Sequence, residues 1–287
     1  MGAGRAKRRG GDRRGVAGQG QGPNEARKGS GPARVEYHVN RDILYGPPKK
    51  DFAVLCERFG YERGFPGSVE AEAQAWKNDS SWERAEGRLD LTRDWVITID
   101  GETAKDFDDA ISIDHREGAW QLGVHIADVS HFVAKGSRLD LAARKRGTSV
   151  YLIDHVIPML PEALSNELCS LVEGKRRLTF SCLLTLDEQG RRTGFQFRKS
   201  VIESRRRCTY REVQDVLDGK LGLGDEFAAK AQLMSRLKDI LFAKRMAEGS
   251  VNLDSMELSF EPGEHGAIES VLPRPRIESE RIIEEFM

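Results

Sequence analysis

The chain has 287 residues and a formal net charge of -1, from 45 lysines and arginines against 46 aspartates and glutamates. This near-zero sum excludes a uniformly basic nucleic-acid binder and an acidic, solvating protein. The length leaves room for one large domain or two ordinary ones. No apolar run approaches the roughly 18 residues of a membrane span, so the sequence predicts no membrane segment.

The charge is unevenly distributed along the chain. Residues 1–34 hold nine basic and two acidic residues, a net charge of +7, which leaves a net charge of -8 for the remainder. The same segment has ten glycines and almost no large apolar residue, so it cannot bury enough surface to offset the entropy of ordering. We therefore expect a disordered basic tail over residues 1–50, which either stays solvated or holds phosphates electrostatically.

The cysteine content indicates a reducing compartment. The four cysteines are widely spaced and form no C-x-x-C pair, which favours neither a zinc site nor a disulfide framework. The chain start lacks the apolar stretch of a secretory signal. A cytoplasmic location is therefore expected.

From residue 51 onward, helical and extended patterns alternate. The expected helices span 52–59, 67–87, 137–146, 161–172, 210–217, 225–248 and 278 to the end. The expected strands are 95–99, 110–113, 121–126 and 148–153, a hairpin of 178–186 with 195–199, and a hairpin of 251–260 with 267–272. This mixture predicts an α+β fold, a mixed sheet with surrounding helices. The domain boundaries expected from it are a tail over 1–50, a helical lead-in over 51–94 and a main domain over 95–287.

The clearest chemical signal is a group of aspartates where one predicted strand ends and the next begins. Asp100 closes the first strand, and Asp106, Asp108 and Asp109 precede the second. Such strands should bring the four carboxylates to one sheet edge, where oxygen ligands suit Mg²⁺ or Mn²⁺. A bound cation would relieve the repulsion that otherwise raises carboxylate pKa values. Two such ions commonly serve phosphodiester cleavage.

Three other interpretations of the aspartate group compete with a metal site. A solvated acidic turn is the competing structural one. A calcium-binding EF-hand requires a glycine at the sixth loop position, which is missing here. A phosphatase nucleophile of the Asp-x-Asp type is broken because position 102 is Glu102.

The segment 98–110, which reads TIDGETAKDFDDA, resembles the signature of the ribonuclease II/ribonuclease R (RNB) exoribonuclease family. Further blocks that fit the family lie at 123–133, 146–152, 156–161, 165–171 and 281–287. The resemblance covers about residues 51–287, is closest to the bacterial ribonuclease R branch, and extends over only the N-terminal part of the catalytic domain. The expected fold is thus a truncated RNB-type catalytic domain.

The resemblance implies a function and a metal. Members of this family are Mg²⁺-dependent, processive 3′-to-5′ exoribonucleases that hydrolyse single-stranded RNA from its 3′ end to nucleoside 5′-monophosphates. The four aspartates would be both the catalytic and the metal-binding carboxylates, with Mn²⁺ as an alternative metal. No obligate protein partner and no membrane are implied.

The resemblance also assigns RNA-binding residues. Tyr151 would stack on a terminal base, Tyr210 would lie near a sugar, and Glu284 would favour RNA through the 2′-hydroxyl. From the residues alone, Tyr151 could equally pack in the core and Glu284 could be a surface acid. The chain departs from many relatives at Leu253, where they carry a base-stacking phenylalanine.

Two histidines, an arginine triplet and the end of the chain carry further signals. His125 and His131 are interpreted as structural, and Arg205 to Arg207 as either phosphate contacts or a solvated loop. Because the last predicted helix stops without a capping signal, the chain is expected to be a fragment of a longer nuclease. The alternative is a short form that binds RNA without cleaving it.

Overall fold

The computed structural model describes residues 48–152, 155–252, 257–262 and 268–287. The helices are α1 (Pro48–Phe59), α2 (Gly67–Asn78), α3 (Val129–Phe132), α4 (Arg138–Arg146), α5 (Tyr210–Leu217), α6 (Asp225–Ala247) and α7 (Glu278–Phe286). A 3₁₀-helix (Ser81–Arg84) and a π-helix (Ala163–Leu168) complete them. The strands are β1 (Leu89–Asp90), β2 (Val96–Asp100), β3 (Asp109–Arg116), β4 (Ala119–Ala127), β5 (Val150–Tyr151), β6 (Val156–Ile157), β7 (Arg176–Leu186), β8 (Arg192–Glu203), β9 (Arg206–Thr209), β10 (Glu257–Pro262) and β11 (Ile268–Arg274).

One large mixed sheet organises the described part of the chain. Its strand order is β1-β8-β7-β4-β3-β2-β9, and the small pairs β10-β11 and β5-β6 lie outside it. The five central strands pair antiparallel, whereas β1 joins β8 and β9 joins β2 in parallel. The predicted α+β class with a mixed sheet is therefore confirmed.

Helices bury apolar side chains on both faces of this sheet. On one face, Ile97 and Ile99 of β2 pack in a core with α5, α6 and α7. On the other face, Val96 belongs to a core with α2, α4 and the π-helix. Because both faces are covered, β2 can be apolar at consecutive positions, and this run made it readable in the sequence.

Local signals set several element boundaries where the sequence predicted them. The Ser137 side chain accepts a hydrogen bond from the Asp140 backbone N–H (3.1 Å) and caps α4. Thr209 and Glu212 form a reciprocal capping box that starts α5. Glu117 and Gly118 both have positive φ (53° and 74°), which gives the tight β3–β4 turn.

Other boundaries differ from the prediction. Residues 48–50 were expected to be irregular but begin α1, where a proline is tolerated because the first turn leaves its N–H positions unbonded. The helix expected over 161–172 shrinks to the π-helix, in which the Cys169 N–H bonds the Leu164 carbonyl five residues earlier (2.8 Å). Strand β9 was not predicted, because its sequence of two arginines, a cysteine and a threonine shows no apolar alternation. Residues 251 and 252 are not part of a strand.

Three sequence-based expectations fall outside the described residues. They are the disordered tail as far as residue 47, the leucine at 253 where many relatives carry phenylalanine, and the turn of the second predicted hairpin at 263–267. Among the helices that the structure does describe, none combines the length and the apolar character needed to cross a membrane.

A polar cluster is enclosed between β3, β4 and β7. His125 is fully buried, its Nε2 lies 3.0 Å from Ser112 Oγ, and its Nδ1 lies 2.7 Å from Ser181 Oγ. Gly123 makes room for this contact, since a Cβ there would stand 2.3 Å from Ser112 Oγ. Burial lowers the pKa of His125 to about 4, so the ring is neutral in the folded protein.

This histidine makes stability depend on pH. Unfolding restores an ordinary pKa near 6.5, so below that pH the unfolded state takes up a proton that the folded state refuses until about pH 4. The free energy of unfolding should thus fall as the pH drops from 6.5 to 4, by about 3 kcal/mol in total. Urea unfolding across this range, beside His125→Gln, measures the effect. Equal slopes in both proteins would contradict it.

Candidate active site

The four predicted aspartates lie at one edge of the large sheet, where strand β2 ends and strand β3 begins. Asp100 is the last residue of β2, Asp109 is the first of β3, and Asp106 and Asp108 lie in the intervening loop. Since Ile97 pairs with Ile111 in the antiparallel β2–β3 ladder, the same register brings Asp100 level with Asp108. Residues 101–108 are called the aspartate loop below.

The carboxylates influence each other electrostatically. Burial, followed by the charge of Asp109, raises the pKa of Asp100 to about 7, against the lowering effect of Arg207. Burial and the charge of Asp108 raise the pKa of Asp109 to about 6. The pKa of Asp108 is also raised, first by protein atoms that displace water and then by Asp106. Asp108 is nevertheless an exposed residue.

This edge offers carboxylate oxygens of the kind that a divalent cation binds. The Oδ2 atom of Asp100 is buried and has no hydrogen-bond partner among the described residues, which is costly for a carboxylate oxygen. In the described ranges, no three acidic, histidine or cysteine side chains stand in an arrangement that would hold a metal ion. An open edge of carboxylates nevertheless suits Mg²⁺, which commonly keeps several waters and uses one or two protein carboxylates.

Ser170 holds the aspartate loop from one side. This residue is fully buried, its Oγ accepts from the Phe107 N–H and donates to the Lys105 carbonyl, and both distances are 3.0 Å. The next residue, Leu171, donates its N–H to the Phe107 carbonyl (2.8 Å). The loop backbone around Phe107 is therefore tied to the segment that follows the π-helix.

Arg206 and Arg207 of the arginine triplet at 205–207 belong to β9, whereas Arg205 lies exposed in the bend before it. Arg205 donates to the backbone carbonyls of Asp94 (3.2 Å) and Arg93 (2.8 Å). Arg206 pairs with Glu212 of α5 at 3.4 Å. Arg207 donates to two carbonyls of the aspartate loop. Each arginine thus bonds protein groups, which argues against the interpretation that all three are free to contact phosphates.

Tyr151 lies beside the aspartates with its ring exposed. Its hydroxyl donates a 2.9 Å hydrogen bond to Asp106 Oδ2, and the residue is 65% exposed. Partial burial and the bond to Asp106 raise the pKa of Tyr151. The exposure excludes the core-packing interpretation and leaves the ring face accessible.

Tyr210 stands on the other side of the same edge. It is the first residue of α5, directly after Thr209, which pairs with Asp100 in the parallel β2–β9 ladder. Burial, then the charges of Asp100 and Asp109, raise the pKa of Tyr210 to about 12. The Tyr210 carbonyl accepts from Ser279 Oγ of α7 at 2.7 Å, which connects α7 to the site.

Glu284 is placed differently. It is exposed on α7, and its Oε1 lies 3.1 Å from Arg276 Nε. In the described part of the chain, its interactions are with Arg276 and, through charge, Arg245, and none joins it to the aspartates. The assigned role of Glu284 stays a prediction, as do the roles of the aspartates and tyrosines.

The second predicted structural histidine, His131, belongs to a buried ion-pair cluster. Arg88 Nη2 and Asp128 Oδ2 lie 2.5 Å apart with side chains only 6% and 2% exposed. Ser130 Oγ donates to the other Asp128 oxygen (2.6 Å), and the His131 ring packs at a tilt of 46° against Trp76, with ring centroids 5.6 Å apart. Asp128 is therefore committed to Arg88, and the structural interpretation of His131 is confirmed.

Sequence reasoning missed two groups that shape the site, Ser170 and Arg207. Ser170 lies more than sixty positions from the loop it holds, so no local spacing marks it. Arg207 was noticed only as one of three cations. The signal available in the sequence was the opposite charge of the aspartate loop and the arginine triplet.

Comparison with known proteins identifies the family to which this fold belongs. The family model for the RNB domain matches residues 88–287, so the chain belongs to the RNB family. Two relatives named ribonuclease R, from Thermotoga maritima and Escherichia coli, are 44% and 39% identical over 78% of this chain. The chain spans about a third of the length of these relatives (32% and 28%).

A solved structure supports the same assignment. Mycoplasma genitalium RNase R in complex with ribose-methylated single-stranded RNA is 30% identical, with a TM-score of 0.79. The match covers 84% of this chain and 38% of the Mycoplasma chain. The same protein has also been solved in complex with double-stranded RNA.

The Ser170 contact gives a testable prediction. Ser170→Ala removes the acceptor of the buried Phe107 N–H, so unfolding should become easier by about 1–3 kcal/mol. Amide hydrogen exchange at Phe107 should rise more than exchange in β7. Ser165→Ala, which removes a hydroxyl that bonds the side chain of its neighbour Asn166, is the control. Unchanged exchange at Phe107 would show that the serine does not hold the loop.

Proposed function

We propose that the chain carries the Mg²⁺-dependent active site of a processive 3′-to-5′ exoribonuclease, which hydrolyses single-stranded RNA from its 3′ end to nucleoside 5′-monophosphates. The observation that carries this proposal is the aspartate edge, where the buried, unpartnered Oδ2 of Asp100 faces the site beside an exposed Tyr151 bonded to Asp106. Membership of the RNB family and the RNA in the Mycoplasma RNase R complexes support it.

The residues present would divide the chemistry. Asp100, Asp106, Asp108 and Asp109 would hold Mg²⁺ or Mn²⁺, which when bound activates water and neutralises charge on the phosphoryl oxygens. Burial and neighbouring charges raise the pKa values of Asp100 and Asp109 to about 7 and about 6, and a bound cation would favour their ionised forms. The Tyr151 hydroxyl orients Asp106, while its ring offers a stacking surface to the terminal base.

The remaining assignments concern the substrate and its setting. Tyr210 would lie along the sugar of the terminal nucleotide, and Glu284 would bond the 2′-hydroxyl that distinguishes RNA from DNA. The proposed setting is the cytoplasm, with no obligate protein partner. The cysteines of the described residues are free thiols, which suits a reducing compartment.

A second candidate function is RNA binding without cleavage. The observation favouring it is that, within the described ranges, the acidic side chains do not form a closed ion-binding group. In that case the aromatic surface at Tyr151 would still retain RNA, but no cation would be held where a phosphodiester could be attacked.

Cleavage of labelled RNA separates the two candidates. The purified chain is incubated with 5′-labelled single-stranded RNA and Mg²⁺, beside Asp108→Asn and the exposed control Asp239→Asn. Stepwise shortening from the 3′ end should occur with the chain and the control, and should stop in Asp108→Asn, because removing one carboxylate weakens cation binding. Retention of RNA without shortening would instead favour the binding-only function.

The role of the Tyr151 ring can be tested by binding. Tyr151→Ala should weaken affinity for single-stranded RNA by about 1–3 kcal/mol, since stacking on an aromatic contributes that much per base. Tyr151→Phe keeps the ring and should retain that affinity, although it loses the bond to Asp106. Fluorescence anisotropy in Ca²⁺ measures both variants. An equal loss in both would assign the contribution to the hydroxyl.

A further inference from the structure

Arg207 connects the strand next to the site with both ends of the aspartate loop. It lies on β9 opposite Thr98 of β2. Its Nη2 donates to the carbonyls of Gly101 (2.8 Å) and Glu102 (3.0 Å), at the start of the loop. Its guanidinium carbon lies 5.4 Å from the centroid of the Phe107 ring, near the end of the loop. One side chain therefore contacts the backbone after Asp100 and the residue between Asp106 and Asp108.

We propose that Arg207 is a positioning residue for the proposed nuclease, which sets the geometry of the aspartate loop. The inference rests on the proposed function, because it assigns the purpose of that geometry. It is separate from the aspartates themselves, since Arg207 acts through the loop backbone and not on RNA or the cation.

The loop needs an external support. Its internal backbone bonding in the described structure includes one turn, in which the Ala104 N–H donates to the Gly101 carbonyl (3.2 Å). That same Gly101 carbonyl accepts from Arg207, so the arginine fixes the point from which the turn starts. Ser170 fixes Phe107 from the opposite side. The Phe107 backbone is thus held by the buried Ser170 hydroxyl, and the Phe107 ring lies against the Arg207 guanidinium.

Both the shape and the charge of Arg207 contribute. The planar guanidinium can bond two neighbouring carbonyls while it lies over an aromatic ring, which an ammonium group cannot reproduce. Its positive charge also opposes the repulsion among the carboxylates, and this effect is seen at Asp100. Arg207 itself is anchored, because its backbone N–H donates to Glu173 Oε2 (3.0 Å).

The neighbouring Arg205 provides a matched control. It belongs to the same arginine triplet and also donates to two adjacent backbone carbonyls, those of Arg93 and Asp94. These carbonyls precede β2 and lie at the opposite end of the strand from Asp100. Substitution of Arg205 therefore removes the same kind of bond without touching the aspartate loop.

The experiment compares Arg207→Lys and Arg207→Met with Arg205→Lys and Arg205→Met in the full chain. Three quantities are measured: deuterium exchange of the aspartate loop, Mn²⁺ affinity by calorimetry, and the rate and KM of RNA shortening. Both Arg207 variants should exchange faster in the loop and bind Mn²⁺ more weakly. Their kcat should fall about 100-fold while KM changes less than about threefold, as expected for misplaced catalytic groups.

The outcomes discriminate clearly. Wild-type loop exchange and Mn²⁺ affinity in Arg207→Lys would overturn the proposal, because positive charge alone would then suffice. Equal effects in the Arg205 pair would overturn it too, because the loss of any arginine of the triplet would then explain the result. If Arg207→Met fails to fold, Arg207→Lys carries the test. If the unmodified chain shortens no RNA, the proposed function fails, while exchange and Mn²⁺ binding still decide the role of Arg207.

Discussion

Mutual repulsion among four carboxylates at one sheet edge is the constraint that the rest of the structure has to satisfy. Burial, and then the charges of neighbouring aspartates, raise the pKa values of Asp100, Asp108 and Asp109. A loop with such charges would spread apart if it were free. It is instead fixed at Phe107 by Ser170 and at Gly101 by Arg207. These crowded carboxylates are supported by the large sheet, by the apolar cores on its two faces and by strand β9.

The support reaches the site from elements that are distant in sequence. Strand β9 brings Arg207 and leads directly into α5, so the same turn of chain also delivers Tyr210. Helix α7 then locks α5 through Ser279. The site is thus a meeting point of β2, β3, β9, α5 and the segment after the π-helix. Cooperative stabilisation of these elements explains how a loop rich in like charges can remain ordered.

The parts of the fold that sequence reasoning predicted are those with local signals. The run from Val96 to Ile99 marked β2, the spacing of the aspartates marked the carboxylate edge, and Ser137 marked the start of α4. Strand β9 could not be predicted, because its side chains carry no pattern and its identity comes from backbone pairing with β2. The π-helix also lacks a signal, since its i to i+5 bond at Cys169 follows no common apolar period. Ser170 and Arg207 act over long sequence separations, which only the folded chain reveals.

The parallel pairing of β2 with β9 has a consequence for synthesis on the ribosome. Asp100 pairs with Thr209, so about a hundred residues must emerge between the two partners. At typical translation rates this takes roughly 5–20 s, during which β2 lacks its outer neighbour and the aspartate loop lacks Arg207. The carboxylate edge therefore cannot reach its final geometry while the first half of the chain emerges. The nascent protein therefore lacks the geometry of its proposed site until β9 has emerged and paired with β2.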